Sequence, residues 1–259
     1  MTPVAVRVLV LVAVVIGYYW LGKTALFKAA GTLAKRTRAK AGKLDVAQRT
    51  AVLELAAAGL SHVLLVVLLV LVTGVGPGVV LSGADRPDLL ALGALLGVGE
   101  LALGSLLCRA VIEVSLAARL PARTGAHLGS TEDEQGTGLR SWLGRSRGGW
   151  IRHHLVTLKV LPLPVAVLLT GTQVASEETV FRAIALTWLR DAGPAVALST
   201  SIALFVVMQA FFMSSWQAAL FPVVGGVVMG IVHGLVFWAV PAVAPLVVAH
   251  VVFFFFAVL

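Results

Sequence analysis

Charge is what this 259-residue chain has least of: Asp, Glu, Lys and Arg make up 12% of it, about half the share in soluble domains. That excludes an ordinary soluble globule. Cysteine is nearly missing as well. The one present, Cys108, allows no internal disulfide and no cysteine-based metal site; it reads as a small packing residue of a membrane helix. There is no internal repeat and no polar stretch long enough for a soluble domain. No small-x-small cleavage pattern follows the first apolar run, Val4 to Leu21, so that run reads as a retained helix rather than a removed signal. What is abundant is apolar. Hydrophobic residues are 59% of the chain and mean hydropathy is +0.99. Several runs reach the ~20 residues that cross a bilayer. The expected fold is all-α, a polytopic membrane helix bundle of about eight transmembrane helices. The net charge of +8 then marks cytoplasmic loops by the positive-inside rule, and not a nucleic-acid partner.

Taken in order, the first span closes with Tyr18, Tyr19 and Trp20, which read as an interfacial aromatic belt. Lys23 to Arg49 is rich in bases and holds one acid, Asp45. It reads as a cytoplasmic loop, in part an amphipathic surface helix. A second span covers Ala51 to Val72, and Gly74-Val75-Gly76-Pro77-Gly78 breaks it. The connection from Ser82 to Asp88 has one base, Arg86, and is placed outside. The third span is Leu89 to Val111. A second basic region follows, with a Gly-rich polar loop, Ser130 to Gly136, and a solvated His127 and His153-His154. Two basic loops flanking a poor one put the N-terminus outside. Residues 1–154 therefore read as N-terminal transmembrane helices with two cytoplasmic basic loops, and 155–259 as a denser helical core. Expected spans in that core are Leu155 to Val174, broken by Pro162 and Pro164; a helix from Ser176 to Asp191; Gly193 to Met213; Ala219 to Val240; and Pro241 onward. Gly226, Gly230 and Gly234 have the small-xxx-small spacing of closely packed membrane helices.

Ser176-Glu177-Glu178-Thr179-Val180-Phe181-Arg182 stands out in that apolar core. Burying its three charges costs several kcal/mol unless they pair or do chemistry. On a helix Glu178 and Arg182 share a face, with Glu on the favourable N-terminal side. Glu177 points about 100° away and has no such partner. A desolvated, unpaired carboxylate suits acid–base chemistry. A plainer reading is a helix capped at Ser176 and stopped at Gly193-Pro194. The uncharged run from Val196 to Phe212 favours function. Gln209 and His250 are each the strongly polar side chain of an otherwise apolar helix core. Counting alternate crossings places Glu177, Gln209 and His250 in the outer half of the bilayer, able to share one cavity. His233 falls deeper, and His62 and Glu100 read as isolated and structural.

These residues resemble the CPBP intramembrane proteases, which include CAAX prenyl endopeptidases and the bacterial Abi bacteriocin-processing and self-immunity proteins. Glu177, Glu178 and Arg182 match the family's Glu-Glu-x-x-x-Arg. Phe205 and Gln209 match its Phe-x-x-x-His, with Gln for His. His250 and Phe254 match its His-x-x-x-Asn, with Phe for Asn. The resemblance spans Leu155 to the C-terminus. It implies a metal-independent, cofactor-free glutamic endopeptidase of the bacterial plasma membrane, acting on a small membrane-associated peptide or protein tail. By the same resemblance Glu177 is the base that activates water, Glu178 and Arg182 hold the site in shape, and His250 stabilises the oxyanion. Gln209 can position a water but cannot take its proton, and Phe254 donates nothing to an oxyanion. The alternative is therefore an impaired member that binds, sorts or confers immunity. A transporter would need related halves with paired broken helices, and these halves look unrelated.

Overall fold

The computed structural model describes residues 2–37, 44–118, 153–211, 213 and 215–258; His127, the Ser130–Gly136 loop and the arginines between 119 and 152 lie outside them. All regular structure among the described residues is helical. Helix α1 (Val4–Gly17) passes through a π-helical turn, Tyr18–Gly22, into α2 (Lys23–Arg36). Then come α3 (Val46–Thr73), α4 (Pro87–Ala117) and a short α5 (153–160). Helix α6 (Leu163–Glu178) runs through a second π-helical turn, Thr179–Ile184, into α7 (Ala185–Trp188). The bundle ends with α8 (Pro194–Ala210), α9 (Trp216–Ala239) and α10 (Ala244–Val258).

Local chemistry sets the ends. The Asp45 carboxylate accepts from the Gln48 amide while the Gln48 side chain accepts from Asp45 N–H, a reciprocal cap that starts α3. Gly74, left-handed at φ +68°, stops it. Pro162 caps α6 and Pro164 lies in its first turn, where a missing N–H costs nothing. Gly193 at φ +86° followed by Pro194 starts α8, as the stop signal in the sequence requires.

Four helical runs among the described residues are long and apolar enough to cross a membrane: Val4–Arg36, Val46–Thr73, Pro87–Ala117 and Trp216–Ala239. Helices α8 and α10 are shorter and equally apolar. Leu64, Leu71, Leu95 and Leu106 point outward from α3 and α4, a surface suited to lipid and not to water. The chain is a membrane protein built as a polytopic helical bundle.

Close helix approach depends on glycine. A Cβ on Gly93 or Gly97 of α4 would run into the backbone carbonyls of Pro245 and Ala249 on α10. On α9, Cβ atoms at Gly226, Gly230 and Gly234 would lie 3.0 Å from Gln209, 3.2 Å from Ile202 and 3.1 Å from Leu198 of α8. The small-residue face read from the sequence is the α8–α9 seam.

Several local expectations are corrected. Ser176 caps nothing: it lies inside α6, and its hydroxyl donates to the Thr172 carbonyl at 2.8 Å. The expected fourth and fifth spans are one π-interrupted run from Leu163 to Trp188. Merging them reverses the direction of every later helix, so Gln209 moves from the expected outer end to the opposite one. The chain beyond Trp20 does not leave the helix, because the π turn carries it straight into the basic α2. Tyr19 is fully buried and is no part of an interfacial belt. At the end away from the basic α2–α3 connection, Arg7 clamps Asp191 with two hydrogen bonds of 2.6 and 2.9 Å. That hydrogen bonding holds the Asp191 carboxyl below its usual range.

Candidate active site

The first π-helical turn sets Tyr18 and Tyr19 against His62, and the second carries the arginine of the Glu-Glu-x-x-x-Arg motif. A π turn inserts a residue into a helix and is frequent at functional sites. The second begins directly after Glu177-Glu178 and carries Arg182. The Phe181 carbonyl within it accepts from the Ser201 hydroxyl of α8 at 2.6 Å, so the irregular backbone is satisfied from a neighbouring helix.

Glu178 is the hub. Both Glu178 and Arg182 are fully buried, with Arg182 Nε 3.3 Å from Glu178 Oε2. The i,i+4 pair read from the sequence is present. Arg182 also donates through Nη2 to the Met229 carbonyl at 3.1 Å and lies 4.0 Å over the Phe205 ring. Two imidazoles complete the set. His250 Nδ1 lies 2.8 Å from Glu178 Oε1, and His233 Nδ1 lies 2.9 Å from Oε2. His233 Nε2 in turn lies 3.1 Å from Glu100 on α4. A carboxylate only accepts, so His250 and His233 donate through Nδ1. The sequence reading missed His233 and Glu100, since depth counted along expected spans separates residues that the π turn and the glycine-packed α4–α10 contact bring together. An acid in the middle of an apolar α4 was the available signal.

Glu177 points elsewhere, as its angular offset predicts. Its Oε1 accepts from the Gln173 amide at 3.1 Å and lies 3.6 Å from His62 Nε2 on α3. His62 is therefore not isolated. Tyr18, Tyr19 and Ser61 surround it, with Tyr18 Oη 2.9 Å from Nδ1 and Tyr19 Oη 2.8 Å from Nε2.

A cavity of about 540 Å³ is lined by Glu177, Gln209, His250 and Phe254 together with Lys23 of α2 and Glu54 of α3. Glu177, Gln209 and His250 thus share one cavity, with Glu178 and Arg182 directly behind it. Phe254 packs edge-on to His154, 4.5 Å between ring centres. His154 is buried and lies 3.2 Å from the Thr170 hydroxyl, not solvated as its place beside a basic region suggests. The cavity wall includes Ala47, Gln48 and His153, which belong to the bundle end that carries the basic segments. This is the bundle end opposite to the one that the outer-half placement assumed for Gln209. Among the described residues no three side chains are grouped to hold a metal.

The fold and the site together are a polytopic helical bundle with a buried Glu-Glu-Arg-His cluster at the wall of a cavity between its helices. The comparison with known families is consistent with it: residues 159–256 match the family described as type II CAAX prenyl endopeptidase Rce1-like. The match covers the π-interrupted helix and everything after it to Phe256, and it bears out the resemblance drawn from the three motifs. No curated protein and no solved structure matches the chain.

Proposed function

We propose that the protein is an intramembrane endopeptidase of the CAAX type, and that Glu177 activates the attacking water. The observation that carries this reading is a carboxylate, free of any ion pair with Arg182, facing a cavity whose wall includes His250 and Gln209. Glu177 takes a proton from water as the oxygen adds to the scissile carbonyl. The developing oxyanion forms beside the His250 ring, which Glu178 holds in place through Nδ1–H. Glu177 then returns the proton to the leaving amine as the C–N bond breaks. Gln209 places the water through its side-chain amide. Preorganised donors and a positioned base supply most of the barrier reduction in amide hydrolysis. The substrate class is a membrane-associated peptide tail, with a prenylated cysteine as its anchor. Lipid and substrate are the partners of this reading, and nucleic acid has no place in it.

A second reading has its own support. Gln209 and Phe254 stand where the resembling family has groups that act on water and oxyanion, and each loss can lower a rate ~10²–10³-fold. An impaired protein that binds a target in the same cavity, in sorting or self-immunity, fits those two side chains. Cleavage of a farnesylated CAAX peptide by the reconstituted protein separates the readings. The expected outcome is cleavage that survives chelators, falls by about 10²-fold or more in Glu177→Gln, and rises in Gln209→His, which restores an imidazole titrating near 6.5. Cellular function that persists undiminished in Glu177→Gln establishes the binding reading instead.

A further inference from the structure

Gln209 leaves the cavity without an imidazole at the second motif, yet the molecule holds another one beside Glu177. His62 comes from α3, outside residues 159–256, and it is fully buried. Its Nε2 is 3.6 Å from Glu177 Oε1. This is longer than a hydrogen bond, but catalytic contacts are often loose before substrate binds.

The surroundings of His62 fix its tautomer. Nδ1 lies 2.7 Å from the Ala58 carbonyl, which can only accept, so Nδ1 carries the hydrogen. Nε2 is then a bare lone pair, and Tyr19, 2.8 Å away, donates to it. Tyr18 donates to Ser61, 2.6 Å away, and Ser61 donates to the Ala58 carbonyl at 3.0 Å. Every polar atom of the group is satisfied with a neutral imidazole whose basic edge is turned to Glu177. Tyr18 and Tyr19, the first two residues of the first π turn, both reach the same ring, with centroids 5.2 and 5.5 Å from that of His62.

We propose that His62 is the proton-holding partner of Glu177, a positioning residue from the N-terminal helices that stands in for the imidazole lost at Gln209. The inference rests on the peptidase reading above. Glu177 removes a proton from water as the oxygen bonds to the scissile carbon. The proton passes to His62 Nε2, and the Tyr19 hydroxyl turns from donor to acceptor. The imidazolium so formed keeps Nδ1–H on Ala58 and faces the regenerated Glu177 carboxylate. When the C–N bond breaks, the proton returns through Glu177 to the amine, and both side chains end as they began.

The test uses full-length protein in liposomes with a farnesylated CAAX peptide and compares His62→Gln, Gln209→His, His62→Gln/Gln209→His and Glu177→Gln. The expected result is a kcat lower by about 10²-fold in His62→Gln with KM within about twofold. Adding Gln209→His should recover at least tenfold, a larger factor than Gln209→His gains in the wild-type background, and a merely structural role of His62 would give equal factors in the two backgrounds. A wild-type kcat in His62→Gln, a double variant no faster than His62→Gln, or equal factors in the two backgrounds overturns the inference while an inactive Glu177→Gln keeps the peptidase reading. Full activity in Glu177→Gln overturns both. Should His62→Gln fail to fold, His62→Asn, which also lacks a basic ring nitrogen, carries the test: a kcat lower by about 10²-fold is expected, and a wild-type kcat overturns the inference.

Discussion

Adjacent glutamates take opposite parts because a helix turns about 100° per residue. Glu178 is enclosed by the Arg182 guanidinium, an ion pair, and by His233 and His250, which donate to it. Replacing it with the isosteric glutamine turns an amide N–H₂ toward at least one of those donors and leaves the buried guanidinium without its anion. Removing one partner of a buried ion pair costs about 3–5 kcal/mol. Glu178→Gln should therefore lose that much stability in detergent unfolding. Glu177→Gln loses only a charge-assisted bond from Gln173 and should cost about 1 kcal/mol. Equal losses in the two variants would mean that the pair is not divided into a structural and a reactive carboxylate. The Glu178–Arg182 pair was legible from spacing alone. The two imidazoles on Glu178 were not, because they come from α9 and α10, and no local pattern states which distant helices meet.

At the scale of elements, helix existence was legible and helix continuity was not. Asp45, Gly74 and Gly193-Pro194 announce ends through side-chain chemistry and left-handed φ, and the structure has ends there. Ser176 carries an equally good capping signal, yet it sits mid-helix with its hydroxyl returned to Thr172; tertiary packing of the π turn against Ser201 outweighs a local preference worth about 1 kcal/mol. The π turns themselves have no composition signature and were not expected. The seam of α4 on α10 is the element on which His250 depends. Gly97→Ala sets a methyl against the Ala249 carbonyl and should push α10 outward, lengthening the neighbouring His250–Glu178 bond. The expected cost is about 1–3 kcal/mol of stability, together with lost peptidase activity. Gly99, two residues on, has no atom within 4 Å of a built Cβ. Gly99→Ala should be neutral or stabilise by about 0.5–1 kcal/mol. Denaturant unfolding of both variants in one detergent checks the contrast, and equal stabilities would show that the two helices have room to spare.

For the whole molecule the decisive quantity is which end of the bundle the cavity meets. One continuous run from Leu163 to Trp188 in place of two helices turns α8, α9 and α10 over, so that the end of α8 at Gln209 joins the end where α2 and α3 meet. Gln48, Phe211 and His153 all line the cavity, and Lys35 and Arg36 close α2 on that side. The opposite end carries the Pro77–Leu81 turn and the Arg86–Asp88 pair, with little net charge. Since bases collect on the cytoplasmic face, the cavity is expected to open toward the cytoplasm, where a lipid-anchored tail can enter from the inner leaflet. Single cysteines test this, and the native Cys108 is buried. Gln48→Cys should resist a membrane-impermeant maleimide added outside intact cells and react once the cells are opened. Gly78→Cys should react from outside in both. Labelling of Gln48→Cys in intact cells would reverse the orientation and place the site in the outer half of the bilayer, and the substrate would then have to be an extracytoplasmic peptide in place of a cytoplasmic tail.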